Sequence, residues 1–298
     1  MAGRLGDVTG EGWLKEYRRQ IEPRLEVLLT PAERQPESLH AAMNYAVLGG
    51  GKRLRPALCM ASAVAASGVP SDGIDVGCSA EFVHCFSLIH DDLPAIDDDE
   101  MRRGRLTVHR KFNEAIAVLA GDALFALAFE VLGRITDPAK ALKCLTSLAR
   151  ASGASGLVGG EVMDVEGEGV VAEIERVETI HRRKTGALIA SSCEMGAVMA
   201  GAGPEAAQAL YRFGFELGFA FQVVDDVLNE TSSSEVLGKS AGSDKDRGKL
   251  TYPGLLGIDG SKAVARKALQ TALQELQGLP GDLEPLTEIA VSCVEREA

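Results

Sequence analysis

Apolar residues recur at three- and four-residue steps through most of the chain, inside long runs of good helix formers. This pattern predicts helices around 12–29, 38–48, 56–67, 74–93, 114–135, 138–153, 172–198, 204–228 and 262–277. Gly and Pro punctuate it at Gly49-Gly50-Gly51, Asp137-Pro138, Gly201–Pro204 and Leu279-Pro280-Gly281. β-branched clusters are short, and no Asn-Gly or Asp-Gly turn joins two alternating runs. The expected fold is therefore all-α. No linker divides it, so a single domain over 1–298 is expected.

Two polar stretches interrupt the helical pattern and read as functional loops, Asp97–Arg110 and Glu230–Lys249. The longest apolar stretch, Ala115–Leu132, nearly reaches membrane-spanning length. It contains Asp122 and Glu130, which are costly in lipid, and so reads as a buried core helix.

Composition narrows the function. Of 298 residues, 46% are hydrophobic and 25% charged, which excludes a disordered chain. With 31 Lys and Arg against 43 Asp and Glu, the net charge of −12 argues against a nucleic-acid surface. An anionic ligand stays open, because a metal ion can stand between carboxylates and phosphate oxygens. The six cysteines form no C-x-x-C pair and sit mostly in apolar stretches, so buried free thiols in a reducing compartment are expected. Met1–Gln20 mixes both charge signs and lacks the apolar segment of a signal peptide; cytoplasmic location is the expectation.

Two acidic clusters carry the chemistry. His90-Asp91-Asp92 and Val224-Asp225-Asp226 each place an Asp pair near the end of an apolar helix, followed by a charged loop. Pro94 stops the first helix, leaving Asp91 and Asp92 in its last turn, where the helix dipole is already negative. A divalent cation relieves that crowding, and hard oxygen donors without cysteine favour Mg²⁺. The spacing lacks the glycine and alternation of a calcium loop. The acidic run turns abruptly basic at Arg102-Arg103-Gly104-Arg105, as a clamp on metal-bound phosphate would require. Asp225 and Asn229 lie four apart and share a helix face. Two such helix ends facing each other would wall a cavity with carboxylates.

Alternatives remain at this level. A solvated acidic loop explains the first cluster alone, and His90-Asp91 alone admits a metal-dependent phosphohydrolase of the HD type. Neither explains the second Asp pair. Gly50-Gly51-Lys52 lacks the spacing and preceding strand of a P-loop.

Taken together, the motifs resemble the trans-isoprenyl diphosphate synthases, and within them the bacterial farnesyl and the bacterial or plant-type geranylgeranyl enzymes. The likeness runs in order from about Leu39 to Gly257: GGGKRLRP, EFVHCFSLIHDDLPAIDDDEMRRGRLTVH, LAGDAL, GGEVMD, HRRKTGALI, FQVVDDVLNE, LGKSAGSD and GKLTYPGLLG. The resemblance implies a bundle of mostly antiparallel helices around a central active-site cavity, usually a homodimer. It implies that Lys52, Arg55, His84 and Arg103 bind the diphosphate of isopentenyl diphosphate. By the same likeness Arg102, Lys184, Lys239 and Lys249 hold the allylic diphosphate. Asp91, Asp92 and Asp97 would take two Mg²⁺ ions and Asp225 a third. The carbonyl of Lys184 with Thr185 and Gln222 would steady the allylic carbocation.

Two positions depart from the family pattern: Asn229 replaces an Asp, and Glu161 stands where Gln is typical. They keep open a catalytically weak subunit that modulates an active partner. Phe86, five residues before Asp91 with Ser87 beside it, would form a pocket floor about one and a half turns below the aspartates. By family logic that aromatic, with the insertion Pro94-Ala95, implies a fifteen-carbon farnesyl product. Geranylgeranyl diphosphate is the alternative if another helix sets the floor.

Overall fold

The structure, a computed structural model, describes residues 9–169, 173–231 and 250–296. Helices account for 75% of it. They are α1 (Gly10–Leu28), α2 (Glu37–Val47), α3 (Leu54–Ala65), α4 (Ile74–Asp91), α5 (Val108–Lys111), α6 (Glu114–Gly133) and α7 (Pro138–Ser152). There follow α8 (Leu157–Val165), α9 (Ile174–His181), α10 (Ala187–Met199), α11 (Pro204–Thr231), α12 (Tyr252–Glu275) and α13 (Glu284–Val294). The only strands among the described residues, β1 (Met101–Arg102) and β2 (Arg105–Leu106), form a two-residue hairpin. Its turn, Arg103-Gly104, has φ of 53° and 73°, the left-handed pair that tight hairpins need.

Local chemistry sets the boundaries. Asn113 caps α6 by accepting from the Ile116 amide at 2.8 Å. Asp137 accepts from the Ala139 amide at 2.9 Å, with Pro138 in the first turn of α7. The core runs through the whole bundle. α10 is buried almost all round, and its Ala, Ser, Cys and Gly residues let α3 and α11 pack closely against it. α4 lies between α3 and α6, and α12 runs along α11.

The structure departs from the sequence reading in several elements. The window 172–198 is α9 and α10 joined by a π-helical turn, Arg182–Gly186. α12 begins ten residues before the predicted 262, because Thr251 caps it and Gly257, at φ 68°, bends the helix and blurs its periodicity. α8 and α13 were not among the predicted windows: α8 is short and carries Gly159 and Gly160, and α13 follows the Pro280-Gly281 break with Pro285 in its first turn. α6 corrects the buried-helix expectation. Its inner face packs on α4, but Val118 and Leu119 are 39% and 54% exposed, and Asp122 and Glu130 lie on the outer side. By length and composition this one described helix could cross a membrane. All six cysteines are buried free thiols.

Candidate active site

α4 delivers the first aspartates. Its last residue is Asp91, and the chain then folds back so that the Asp97 amide donates to the Asp91 carbonyl at 2.8 Å while the Ile96 and Asp98 amides donate to Leu93. The inserted Pro94-Ala95 supplies the slack for this turn. Asp97 is thereby returned to Asp91, and both line a central cavity of about 370 Å³. α11 delivers Asp225 and Gln222 to the same cavity, the π turn delivers Lys184 and Thr185, and α8 delivers Glu161 and Asp164. Arg55, His84, Ser87, Arg102 and Arg103 complete the wall. Most of the residues read from two distant stretches of sequence thus face one space.

The π turn is where α8 approaches most closely: a Cβ on Gly160 would lie 2.3 Å from the Lys184 amide nitrogen, so only glycine fits. A π segment in an α-helical run re-aims its side chains, a device common at functional sites. Here the Lys184 ammonium lies 2.7 Å from both Glu161 and Asp164. Thr185 Oγ1 donates to Gln222 Oε1 at 2.8 Å, and Gln222 Nε2 reaches Asp226 at 3.4 Å. Asp226 is buried and also accepts from the Tyr252 amide at 3.1 Å, with His181 Nε2 at 3.3 Å. Burial pushes His181 down to about 3, so it meets Asp226 as a neutral ring. Both aspartates of this pair line the cavity, but Asp226 is also tied into the wall by Tyr252, Gln222 and His181, whereas Asp225 is the more exposed of the two.

Arginines order the other side. The Arg102 guanidinium holds Asp92 at 2.6 Å and Asp99 at 3.4 Å. Arg103 donates to the Gly50 carbonyl, and Gly51, at φ 135°, lets the guanidinium approach where a Cβ would come within 2.8 Å of it. His84 is held neutral by burial and by the flanking charges of Arg55 and Arg103.

Several expected positions fall elsewhere. Arg53 adopts a left-handed φ of 54°, which turns successive side chains apart. Arg53 enters the core to bind Glu22, Glu81 and the Val47 carbonyl, and Arg55 enters the central cavity. Lys52 instead lines a second cavity of about 680 Å³ bounded by α1, Phe221 and Arg296. Asp92, turned toward Arg102, borders a small neighbouring cavity rather than the central one. Asn229 is buried and does not border the central cavity. Phe86 does not border it either; its ring meets His90 at 4.8 Å and Phe125 at 5.0 Å, and Phe125 meets Phe129 at 5.0 Å. Lys239 and Lys249 lie outside the described residues.

Among the described residues, no three His, Cys, Asp or Glu side chains form a ready-made metal cluster. The protein's own cations hold the carboxylates instead, Arg102 at Asp92, Lys184 at Glu161 and Asp164, and Arg296 at Asp225. The donor set still fits a hard divalent cation. Burial, then the charge of Glu161, pushes Asp91 up to about 7, and burial pushes Asp92 up to about 6. Glu161 Oε1 is buried with no hydrogen-bond partner. Oxygen donors this crowded and this poorly compensated suit Mg²⁺.

An all-α bundle with Asp91 and Asp97 from one acidic stretch, Asp225 and Asp226 from another, and arginines and a lysine around one cavity defines a trans-isoprenyl diphosphate synthase. The chain belongs to the polyprenyl synthetase family, whose family model matches residues 36–289. Large subunit 1 of the chloroplastic heterodimeric geranylgeranyl pyrophosphate synthase of Arabidopsis thaliana is 42% identical over 266 residues, covering 86% of this chain and 72% of that protein. An FPP/GFPP synthase from Zymomonas mobilis has the same fold, with a TM-score of 0.84 and 34% identity over 96% of this chain and 98% of that one. So does a geranyltransferase from Helicobacter pylori, solved with magnesium and isoprenyl diphosphate, with a TM-score of 0.82 and 28% identity over 99% of this chain and 98% of that one. The protein is a short-chain trans-prenyltransferase of a Mg²⁺-dependent family.

Proposed function

We propose that the protein condenses isopentenyl diphosphate with dimethylallyl and then geranyl diphosphate, giving farnesyl diphosphate. Mg²⁺ would neutralise charge on the departing allylic diphosphate. Asp91, Asp97 and Asp225 would hold it as three ions, with Asp92 joining once released from Arg102. Lys184 and Arg102 hold allylic diphosphate oxygens, aided by Lys239 and Lys249. Arg55 and Arg103, with neutral His84 between them, hold the second diphosphate, and Lys52 is the more distant member of that set. Ionisation of the allylic C–O bond leaves a carbocation beside the Lys184 carbonyl, Thr185 and Gln222. The Thr185 hydroxyl donates its proton to Gln222 Oε1, so the lone pairs of Thr185 Oγ1 are available to the cation. The double bond of isopentenyl diphosphate attacks, and loss of a proton to the released diphosphate restores neutrality.

The observation that carries the fifteen-carbon product is the aromatic ladder. Ser87 lines the cavity and Phe86 lies one residue beyond it, outside the cavity and packed on Phe125, which meets Phe129, so this ladder would stop a chain that pushed past Ser87 between α4 and α6. A second reading, geranylgeranyl diphosphate, is favoured by names: several relatives besides the Arabidopsis large subunit are called geranylgeranyl pyrophosphate synthases. Incubating the protein alone with Mg²⁺, isopentenyl and dimethylallyl diphosphates and sizing the products separates the readings. Farnesyl supports the ladder; geranylgeranyl replaces it with another floor. No product supports a modulatory subunit.

The exposed apolar face of α6 supports a homodimer, since Val118 and Leu119 would otherwise face water. The whole chain serves as one catalytic domain. Buried thiols support a reducing compartment such as the cytoplasm, although some relatives are named chloroplastic.

A further inference from the structure

Arg296, just beyond α13, lies outside every motif that marked the site. Its guanidinium pairs with the Asp225 carboxylate, donates to the Phe221 carbonyl at 3.4 Å and rests 4.3 Å over the Phe221 ring. The arginine side chain is 17% exposed and the aspartate 41%. Arg296 Nε is buried without a hydrogen-bond partner. The carboxylate is therefore the more accessible half of the pair, open to an arriving cation, and the arginine keeps one buried donor that this pairing does not satisfy. Phe221 borders both the central cavity and the second cavity that holds Lys52, and the pair stands where the two meet.

We propose that Arg296 is the positioning counter-ion of Asp225: it occupies this carboxylate in the metal-free protein and is displaced when a divalent cation arrives. A monovalent guanidinium and a divalent ion compete for one carboxylate, so the arginine sets the affinity of this metal position. Before displacement it keeps Asp225 aimed and its charge compensated. Once released, it leaves the boundary between Lys52 and the central cavity open. Arg102 at Asp92 stands in a comparable relation, but it belongs to the diphosphate set; Arg296 is given no role in the reaction as proposed above.

The inference rests on the placement of a metal at Asp225. Mn²⁺ titrated into the full chain with one equivalent of inorganic diphosphate, against a protein-free diphosphate blank and with free Mn²⁺ read by electron paramagnetic resonance, tests both. Arg296→Gln is expected to bind the weakest Mn²⁺ about threefold to tenfold more tightly, in the range of a partly exposed ion pair. Arg296→Lys should restore wild-type binding, which loss of packing alone would not predict. Asp225→Asn should lose that ion, and Arg296→Gln should add nothing in the Asp225→Asn background. Unchanged or weaker binding in Arg296→Gln, or a gain that persists without Asp225, overturns the counter-ion role alone. Wild-type binding in Asp225→Asn overturns the metal placement, and the inference with it.

Discussion

The Lys184 ammonium is shared between Glu161 and Asp164, 2.7 Å from an oxygen of each. Two carboxylates on one lysine, with Asp91 also near, hold Lys184 firmly protonated, well above its ordinary value despite burial. They also leave it less charge to offer a diphosphate. Glu161→Gln removes one competitor and a negative neighbour of Asp91. The expected results are a lower KM for the allylic substrate, by about twofold to fivefold, the scale of one modest electrostatic contact, and Mg²⁺ activation that extends to lower pH. Steady-state kinetics across pH 5.5–8.5 at varied Mg²⁺ checks both, on the scale of the Asp91 and Asp92 ionisations at about 7 and 6.

Those two raised carboxyls fix the sign of the pH response. Asp91 loses its proton near 7 in the folded protein and near 3.8 when unfolded. Between those values the folded state binds the extra proton, so this contribution to stability is full below about 3.8 and is lost as pH rises through 7. Mg²⁺ needs the ionised form, and its binding releases protons. Metal affinity should therefore rise from pH 5.5 to 8, and Mg²⁺ should raise the melting temperature more at pH 8 than at pH 6. Calorimetry at the two pH values decides it.

Arg53 predicts a stability defect. Its side chain is fully buried and pairs at 3.0 Å with Glu81, itself 2% exposed. Arg53→Ala strands that carboxylate and should cost about 3–5 kcal/mol in urea unfolding, the usual penalty of breaking a buried pair. Arg55→Ala, two residues on, should impair turnover with a smaller stability change.

The aromatic ladder predicts product length. Phe86→Ala should shift products beyond fifteen carbons, and Phe125→Ala should do the same with Phe86 intact, because it removes the ring behind it. Chromatography of dephosphorylated products is the readout, and Phe129→Ala should give the smaller shift because it touches Phe86 only through Phe125.

The proposed homodimer through the outer face of α6 predicts that Leu119→Glu, at a position 54% exposed, gives monomers with the fold intact where the wild type is dimeric. Sedimentation velocity distinguishes the two states.

Helix positions were largely legible because periodicity reports buried faces, and it did so for α1–α4, α6, α7 and α11. It failed at Gly257, where a bend breaks the register of α12, and for α8 and α13, which begin beside glycine and proline breaks. Both aspartate pairs were legible because charge inside an apolar helix is costly enough to need a reason. What sequence could not show was direction. Arg53 and Arg55 look alike in GGGKRLRP, yet one left-handed residue sends the first into the core and the second into the cavity. Phe86 reads as a lining residue, but its ring leaves the cavity wall to Ser87 and packs on Phe125 of α6, a contact between segments nearly forty residues apart. Arg296 gave no signal, because an arginine after the last helix resembles any surface charge until Asp225 is seen beside it.

The central claim is that Asp91 on α4 and Asp225 on α11 serve one metal-diphosphate site. Turnover of isopentenyl and dimethylallyl diphosphates by Asp91→Ala and by Asp225→Ala, each confirmed folded by circular dichroism, tests it directly. The account predicts that both lose at least roughly 10²-fold in kcat, the scale of removing a charge-stabilising group from a transition state. Wild-type turnover in either variant would contradict it.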